Sequence, residues 1–351
     1  MPILYPVNQT VFIGNGIGIL SDVTKCRCTE TLEDFYEVEF QIPKDGLHAM
    51  DISINQTIKA KPNHKDDPQL FRIYSVEKNY DGYIVGKAAH ISYDTSGIPI
   101  KPFTSRSLSE AVEHMNNDRI LQNTSKFVLN SDFSLEGVLE VKKPTSFRSL
   151  LGGSDTSIKG IYGGDYHYDN YVINHVEKRG TNKGVCFRYS KNIIGFEQET
   201  NSEDLYTAVI GFWKKSSNDN QDPIYGNIIN CEGTFPYDKI YILDTSSDIE
   251  VPNNGTATVD QIDECVTKYI KSNMVGVPKN KMKIDYVEDD NIVKVCLGDE
   301  VGVIFPDYGI KALARCNKVV FDCLLEKNES IEIGVVDTDL SDSIAQISAK
   351  S

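Results

Sequence analysis

Apolar and polar residues alternate along several short segments before Pro102. The clearest is Tyr36–Pro43, in which apolar residues alternate with Glu and Gln, as in a strand with one buried face. Gln56–Lys61, Leu70–Lys78 and Tyr83–Ser92 are further strand candidates, and Asp81-Gly82 between the last two is a strong hairpin signal. The pattern therefore predicts a first domain built of β-strands.

Helical spacing first occurs after Pro102. Ser107 and Glu110 match a capping box, and the apolar residues that follow fall on one helical face: Leu108, Ala111, Val112 and Met115. A shorter helix is predicted over Thr145–Leu151 and would end at Gly152-Gly153, where glycine readily adopts the left-handed conformation. Together with the short strands nearby, such as Tyr166–Val176, these helices predict a small α+β domain.

Strand patterns return from Gly184 to Asp244 and again from Lys283 to Gly334. Between them lies the strongest helical pattern of the chain, for which Thr258 is the expected N-cap. Its apolar stripe contains Ile262, Cys265, Val266, Tyr269 and Ile270. The tail segment Leu340–Ile347 has heptad-like spacing but is too short to form a stable helix alone.

Two strand–loop–strand segments resemble each other. Thr57–Pro62 with Leu70–Lys78 resembles Glu300–Pro306 with Leu313–Val320, and Arg72 and Arg315 occupy corresponding places. This similarity predicts an internal duplication of a β unit. Because the match is short, chance similarity between two hairpins is the alternative.

Composition narrows the class of protein. A chain of 351 residues predicts two to four domains. The net charge of −15 argues against nucleic-acid binding, which depends on neutralising phosphates, and against anionic membrane surfaces. No segment approaches the length of apolar sequence that spans a bilayer, and Met1–Pro6 does not begin a signal peptide. We therefore expect synthesis in a bacterial cytoplasm and no stable membrane insertion.

The cysteines give no sign of a metal site or a disulfide framework. They include no C-x-x-C pair and lie at positions 26, 28, 186, 231, 265, 296, 316 and 323. Cys26 and Cys28 would share one face of a strand. The expectation is that they are reduced thiols packed in the core.

A set of short motifs then occurs in order along nearly the whole chain. It starts with Phe71–Tyr74 and Ala89–Asp94 and continues through Ser149–Gly153, Tyr162–Tyr166, Arg179-Gly180, Arg188–Asn192, Tyr206-Thr207, Leu297–Val301 and Glu329–Gly334. This set resembles the prophage endopeptidase-tail family, the N-terminal hub region of phage tail-associated lysins, also described as phage minor structural proteins. That family is similar to the trimeric baseplate hub of contractile-tailed phages.

The resemblance implies an α+β, mainly β fold with two similar β-barrel hub domains, each carrying a smaller inserted domain. Combined with the patterns above, it predicts five parts. Residues 1–102 would form the first barrel, 103–185 an α+β insertion, 186–257 with 291–334 the second barrel, 258–290 a small helix-containing insertion, and 335–351 the start of a C-terminal linker or helix.

The resemblance also implies a function. The chain would be the structural hub of a phage, prophage or phage-derived bacteriocin tail tip, located in the virion. As a homotrimeric, pseudo-hexameric ring it would join a six-fold tail tube or distal tail ring to a tip or lysin module, with the tape measure protein as a further partner. No cofactor and no sequence-specific nucleic-acid binding are expected.

Two other functions stay open. The first is a peptidoglycan endopeptidase, although the resemblance implies that a lytic domain would lie beyond residue 351. Within the chain, only Cys186 with His175 or His90 offers a thiol and a base, and Cys186 lies in a predicted strand rather than in a nucleophile motif. We therefore expect no catalytic residues. The second is a carbohydrate-binding tip protein, but its aromatic residues are dispersed.

Asp165, His167 and Asp169 form the most metal-like set in the sequence. Their period-two spacing puts them on one strand face, and His175 could approach from a paired strand. The spacing does not match that of zinc peptidases, so a solvated strand face is expected and no metal site.

Three other features invite a functional interpretation. Gly14, Gly16 and Gly18 do not match a phosphate loop, so a β-turn is expected, and Glu288–Asp290 does not match a calcium loop. Trp213 could serve either in a subunit interface or in a domain core.

Overall fold

The computed structural model describes residues 1–32, 35–120, 126–154, 156–188, 193–201, 205–215, 222–231, 237–246, 248–249, 251, 255–273, 275–276, 279–286, 294–305 and 310–335. The acidic run Glu288–Asp290, the tail segment Leu340–Ile347 and residues 189–192 of the family motifs lie outside these residues. The described chain is mainly β, as the sequence predicts.

The strands follow one another from the N-terminus to Val335. They are β1 (Ile3–Tyr5), β2 (Gly18–Ile19), β3 (Lys25–Thr31), β4 (Tyr36–Pro43), β5 (Thr57–Ala60), β6 (Gln69–Lys78), β7 (Tyr83–His90), β8 (Pro99–Ile100), β9 (Phe103–Ser107), β10 (Val128–Ser131), β11 (Glu136–Val141), β12 (Thr145–Ser146), β13 (Asp165–Asp169), β14 (Val172–Val176), β15 (Asn182–Arg188), β16 (Ile193–Asn201), β17 (Ala208–Trp213), β18 (Ile224–Asn230), β19 (Ile240–Asp244), β20 (Lys279–Tyr286), β21 (Glu300–Phe305), β22 (Ile310–Asp322) and β23 (Lys327–Val335).

The helices are short by comparison. They are α1 (Leu108–Asn117), α2 (Phe147–Leu151), α3 (Ile158–Tyr162) and α4 (Val259–Asn273), with 3₁₀ turns at Ala49–Asp51 and Ile91–Gly97. Among the described residues, none of the helices has both the length and the apolar character needed to cross a membrane.

The strands predicted from alternation form as expected. β4 spans Tyr36–Pro43 and buries every second residue. The hairpin between β6 and β7 closes where Asp81-Gly82 predicts it, because Gly82 adopts a φ of +82° and the Asn79 amide donates to the Tyr83 carbonyl.

One sheet contains most of these strands. Its order is β16-β20-β23-β22-β3-β4-β7-β6-β5-β1-β2, and β21 pairs with both β22 and β15. β22 is 13 residues long. Its first part pairs with β21, and its last five residues, Lys318–Asp322, pair with β3. We call this second pairing the seam, because it joins the N-terminal and C-terminal halves of the sheet.

The two halves of the sheet have the same strand order. In the first half the order is β3-β4-β7-β6-β5-β1, and in the second it is β16-β20-β23-β22-β21-β15. Thr57 lies opposite Arg72 and Glu300 lies opposite Arg315. A register shift follows Ile73 in β6 and Cys316 in β22, the residues directly after these arginines. Chance similarity between two hairpins does not account for this agreement, so the structure supports an internal duplication.

The two halves differ at one end of this order. β1 pairs with β5 in antiparallel fashion, whereas β15 pairs with β21 in parallel fashion. The chain therefore enters the two halves from opposite directions.

Residues 98–181 separate the two halves in sequence and contain α1, α2 and α3. Ser107 accepts a hydrogen bond from the Glu110 amide, so α1 begins where the capping box predicts, although the Glu110 carboxylate accepts from the amide of Arg106. α2 begins at Phe147, two residues later than predicted, because Ser146 is its N-cap. Gly152 is extended and the next glycine has a positive φ, so the predicted left-handed end lies one residue further along.

Residues 198–281 form a second compact unit. In it, a three-stranded sheet of order β18-β17-β19 packs against α4. Thr258 and Gln261 cap α4 reciprocally, which confirms the predicted N-cap. The unit is larger than the predicted insertion at 258–290, because the helix shares its core with strands assigned in sequence to the second barrel. The other predicted boundaries stay predictions.

Substitution of Phe321 tests whether the seam contributes to stability. Its side chain is fully buried and lies opposite Cys28 across the seam. We expect Phe321→Ala to lower the free energy of unfolding by about 3–5 kcal/mol in urea denaturation, because truncation leaves a cavity in the core. The control is Leu325→Ala in the turn after β22, where the side chain is 70% exposed and a change within about 0.5 kcal/mol is expected. Equal effects of the two substitutions would contradict this assignment of the seam.

Candidate functional site

The hairpin of β13 and β14 carries the metal-like residues of the sequence. Asp165, His167 and Asp169 alternate along β13 with two buried tyrosines, as the period-two spacing predicts. Each polar side chain has its own protein partner. Asp165 pairs with the Arg315 guanidinium, His167 Nε2 lies 3.1 Å from Asp66 Oδ1, and Asp169 Oδ1 accepts from Gln69 Nε2 at 2.9 Å.

These contacts change the interpretation of β13. Asp165 is buried, so the prediction of a solvated strand face was wrong at this position. A carboxylate is buried only when it is paired or hydrogen-bonded, and Asp165 also accepts a bond from the Arg179 amide at 2.8 Å. The strand therefore connects residues 98–181 to both halves of the main sheet. Among the described residues, no group of three His, Cys, Asp or Glu side chains could hold a metal ion.

A buried ion pair lies next to this hairpin. Arg179 Nη1 is 2.6 Å from Glu30 Oε1 and donates to the Tyr166 carbonyl at 3.1 Å. Burial alone would lower the pKa of the Arg179 guanidinium, but the charge and hydrogen bond of Glu30 raise it above its usual value. The Arg179 guanidinium therefore keeps its positive charge inside the protein. Its pair with Glu30 connects β3 of the first half to the segment that leads into the second half.

Arg315 holds the same region from the second half of the sheet. Besides Asp165, its guanidinium donates to the carbonyls of Arg179, at 2.9 Å, and Gly298, at 3.3 Å. Gly180 and Gly298 have φ values of +80° and +86°, and a Cβ on Gly180 would lie 2.0 Å from the Gly298 carbonyl carbon. Only glycine permits this backbone contact.

Asp66 completes the cluster from the loop between β5 and β6. Burial raises its pKa, but the hydrogen bond and charge of His167 and the hydrogen bond of Asn63 outweigh burial and lower it to about 2. The Asn63 side chain also accepts from the amides of Lys65 and Asp66, which gives the loop a defined turn.

A cleft of about 410 Å³ lies among these segments. Its lining contains both acidic and basic side chains: Lys65, Asp66, His167, Lys178, Arg179 and Asp299. Small-molecule sites are predominantly apolar with a few polar groups, whereas most of these side chains already have a partner within the protein. We interpret the cluster as a junction that ties three parts of the chain together, and we call it the charged junction.

The residues considered for catalysis are packed or hydrogen-bonded within the fold. The His90 ring stacks on Tyr36 with centroids 4.4 Å apart, and its nitrogens face Ser92 and Gln69. His175 donates from Nε2 to the Gly163 carbonyl at 2.7 Å. Cys186 lies in β15, near Gly302 of β21. Burial lowers the pKa of His90 to about 3 and also lowers that of His175, so both rings are uncharged at neutral pH.

The surroundings of Gly16 and Trp213 show what these two residues do in the fold. A turn leads from Gly16 into β2, as expected, and a Cβ on Gly16 would lie 2.4 Å from the Leu4 carbonyl oxygen. Trp213 belongs to the core of the second unit with Val209, Ile262 and Val266, so the core alternative holds for it.

Sequence reasoning missed Glu30 and Arg179 as a pair. The two residues are 149 positions apart, and neither lies in a motif whose chemistry suggests a partner. The sequence did indicate where Arg315 lies in its hairpin, because Arg315 corresponds to Arg72 in the repeated hairpin. Arg72 forms its own pair with Asp94 at 2.5 Å, so both halves use this position for an ion pair.

Comparisons with known proteins bear on the fold. No protein-family model and no curated protein matches the sequence. Solved structures do match. Prophage tail protein gp18 from Listeria monocytogenes EGD-e is 15% identical with a TM-score of 0.57, and the match covers 99% of this chain and 97% of that one. The 43 kDa tail protein of prophage MuSo2 from Shewanella oneidensis is 12% identical with a TM-score of 0.62, covering 91% and 96%.

A tail protein from Neisseria meningitidis MC58 is also similar, at 8% identity and a TM-score of 0.59, covering 91% of this chain and 93% of that one. These matches extend over nearly the whole of each chain. The chain therefore shares its fold with phage tail proteins, and the predicted α+β, mainly β fold class is confirmed.

The buried ion pair can be tested by removing one charge. We expect Glu30→Gln to lower the free energy of unfolding by about 3–5 kcal/mol, because Arg179 would keep a buried charge without its counter-ion. The control is Glu39→Gln, whose 3.0 Å pair with Lys25 is half-exposed and is worth about 0–1 kcal/mol. Urea denaturation of both variants checks the difference. A cost for Glu30→Gln no larger than that of the control would contradict the junction.

The ionisation of His90 can be tested by NMR. Because its pKa is lowered to about 3, we expect the His90 ring signals not to shift between pH 8 and pH 5. The free energy of unfolding depends on pH at this residue, because the unfolded chain binds a proton near pH 6.5 that the folded chain does not bind. His90 therefore contributes stability above pH 6.5 that is lost as the pH falls towards 3. A midpoint between pH 5 and pH 8 would show that the ring is not held neutral.

Proposed function

We propose that this protein is the structural hub of a phage, prophage or phage-derived bacteriocin tail tip, as its resemblance to the prophage endopeptidase-tail family implies. The observation that carries the proposal is the repeated strand order of the two sheet halves. Three copies of a duplicated subunit present six similar domains around one axis. The fold shared with solved tail proteins supports the same assignment.

The duplication would allow a three-fold assembly to contact a six-fold one. A six-fold tail tube or distal tail ring must meet a tip with three-fold symmetry, and a trimer of duplicated chains can contact both. The proposed partners are therefore a distal tail or tube protein on one side and a tip or lysin module on the other, with the tape measure protein as a further candidate. The proposed location is the virion tail tip.

The structure suits a mechanical role because the two halves share one core. Buried residues from both halves belong to a single hydrophobic cluster, and the seam and the charged junction connect the halves at two further places. A subunit built in this way would transmit force between its partners with little internal movement. The charge of −15 would also keep DNA from adhering to a lumen wall.

We also propose that residues 1–351 do not themselves catalyse a reaction. Burial lowers the pKa of the two histidines that could activate Cys186, which makes both rings weak bases, and the similar solved structures are tail proteins. The work of the chain would then consist of assembly, with contact surfaces in place of a catalytic centre.

The mass of the protein in solution tests the trimer. One chain has a mass of 39.3 kDa, so we expect light scattering to detect a species near 118 kDa, which is three times that value. Measurements over a wide range of protein concentration distinguish a defined trimer from non-specific association. A stable dimer or a tetramer would contradict the proposal.

A zymogram on purified peptidoglycan tests the absence of catalysis. We expect no lytic band from the chain, because Cys186 lies within β15 and the rings of His90 and His175 are packed against other side chains. The matched variants are Cys186→Ala and His167→Ala. A lytic band of the wild type that either substitution abolishes would overturn the proposal in favour of a peptidoglycan endopeptidase.

A further inference from the structure

In the second compact unit, α4 covers only one face of the three-stranded sheet. Val209, Gly211 and Trp213 of β17 point towards the helix, and a Cβ on Gly211 would lie 2.6 Å from side-chain atoms of Ile262 and Val266. Successive residues of a strand point to opposite faces. The residues between these three therefore lie on the side that α4 does not cover.

That other face is apolar between two polar ends, where Asp244 lies opposite Phe212 and Asn230 lies opposite Ala208. Ile210 lies opposite both Ile228 and Ile242, and Phe212 lies opposite Tyr225. We call the following residues the open face: Ile210, Phe212, Tyr225, Ile228, Ile240 and Ile242. Ile242 is 64% exposed, and Tyr225, Ile228 and Ile240 are each more than 40% exposed. A sheet face that meets water normally carries polar residues.

The extent of the open face indicates an interaction surface. Its four most exposed residues together present roughly 400 Å² of apolar surface, the size at which patches on monomers are often functional. A standard interface buries about 800 Å² on each partner, so the open face would supply about half of one.

A second exposed apolar surface lies in the N-terminal segment of the chain. The loop between β1 and β2 projects Val7, Val11 and Ile13, and Ile13 is 82% exposed. Ile19 follows in β2, and the adjoining turn adds Leu47 and Met50 on either side of His48, whose ring lies against Gly18. We call this set the apolar loop.

The apolar loop is held in one conformation by bonds to its backbone. Lys126 Nζ donates to the Thr10 carbonyl at 2.7 Å, Lys59 Nζ to the Phe12 carbonyl at 3.2 Å, and the Tyr5 hydroxyl to the Gly14 carbonyl at 2.6 Å. A loop that is fixed before binding loses little conformational entropy on binding. The exposed aliphatic side chains are thus presented ready for contact.

We propose that the apolar loop of one copy docks on the open face of the next copy. This inference rests on the proposed function, because a ring of three needs a heterologous interface, in which two different surfaces of each chain meet. Among the described residues, the apolar loop and the open face are two different surfaces of this kind, one projecting and one formed by a sheet face. Each copy also carries a charge of −15, so a contact between copies is favoured where the surfaces are mainly apolar and add little like-charge repulsion.

Single charges on the two surfaces test this contact. The variants are Ile242→Asp on the open face and Ile13→Asp on the apolar loop, and both positions are exposed enough for the subunit to fold. We expect each variant to weaken trimer formation at least tenfold in light scattering, with an unchanged thermal unfolding temperature at low concentration. The matched control is Leu325→Asp, at another exposed leucine, and we expect it to form the trimer as the wild type does.

A photo-crosslinking side chain at position 242 of the full chain then identifies the contact. We expect a crosslink to residues 7–19 or 47–50 of a different copy, recognised by mixing isotopically labelled and unlabelled protein. A crosslink within one copy or to another region would overturn the inference, as would trimers that persist in both Asp variants or are lost in the control. A wild type that stays monomeric at every concentration would instead contradict the proposed function itself.

Discussion

The backbone pairing of β22 with β3 is the interaction on which the rest of the structure depends. Five residues at the end of β22 pair with β3, while its first part pairs with β21, so one strand belongs to both halves of the sheet. Phe321, Val319, Cys26 and Cys28 are buried around this pairing and belong to one core. Because the hydrogen bonds and the core coincide there, the halves cannot separate without exposing both.

The charged junction has a related purpose but a different physical basis. Hydrophobic burial is non-directional, whereas the pairs of Arg179 with Glu30 and of Arg315 with Asp165 require one defined geometry. Buried ion pairs add little net stability compared with apolar packing, and they penalise misplaced arrangements. The junction is thus suited to fixing the position of the β13–β14 hairpin relative to both halves of the sheet.

Much of the fold could be predicted from local patterns. The alternation in Tyr36–Pro43, the Asp81-Gly82 turn and the capping residues Ser107 and Thr258 act over a few neighbouring positions, and the structure has the predicted elements at each. Asp165, His167 and Asp169 share a strand face, as period two requires. Their partners could not be predicted, because Arg315 lies 150 positions from Asp165 and pairs with it only through the fold.

In the second compact unit, too, the packing between distant segments could not be predicted from local sequence. The sequence of β17 predicts a buried strand of a hub domain. Nothing in it shows that α4 covers one face of the sheet and leaves the other face uncovered. Apolar residues on both faces of β17 and β19 were the available signal, and such a pattern fits a fully buried strand equally well. The Arg72–Arg315 correspondence was the most informative long-range feature, because it pointed to a duplication that the strand order supports.

Imaging of the purified protein by electron cryomicroscopy tests the proposed three-fold ring most directly. We predict a closed ring with three-fold symmetry in which six similar β domains, two from each chain, alternate around the axis. Particles with two-fold symmetry, or a three-fold particle whose two halves do not occupy equivalent places around the axis, would contradict it.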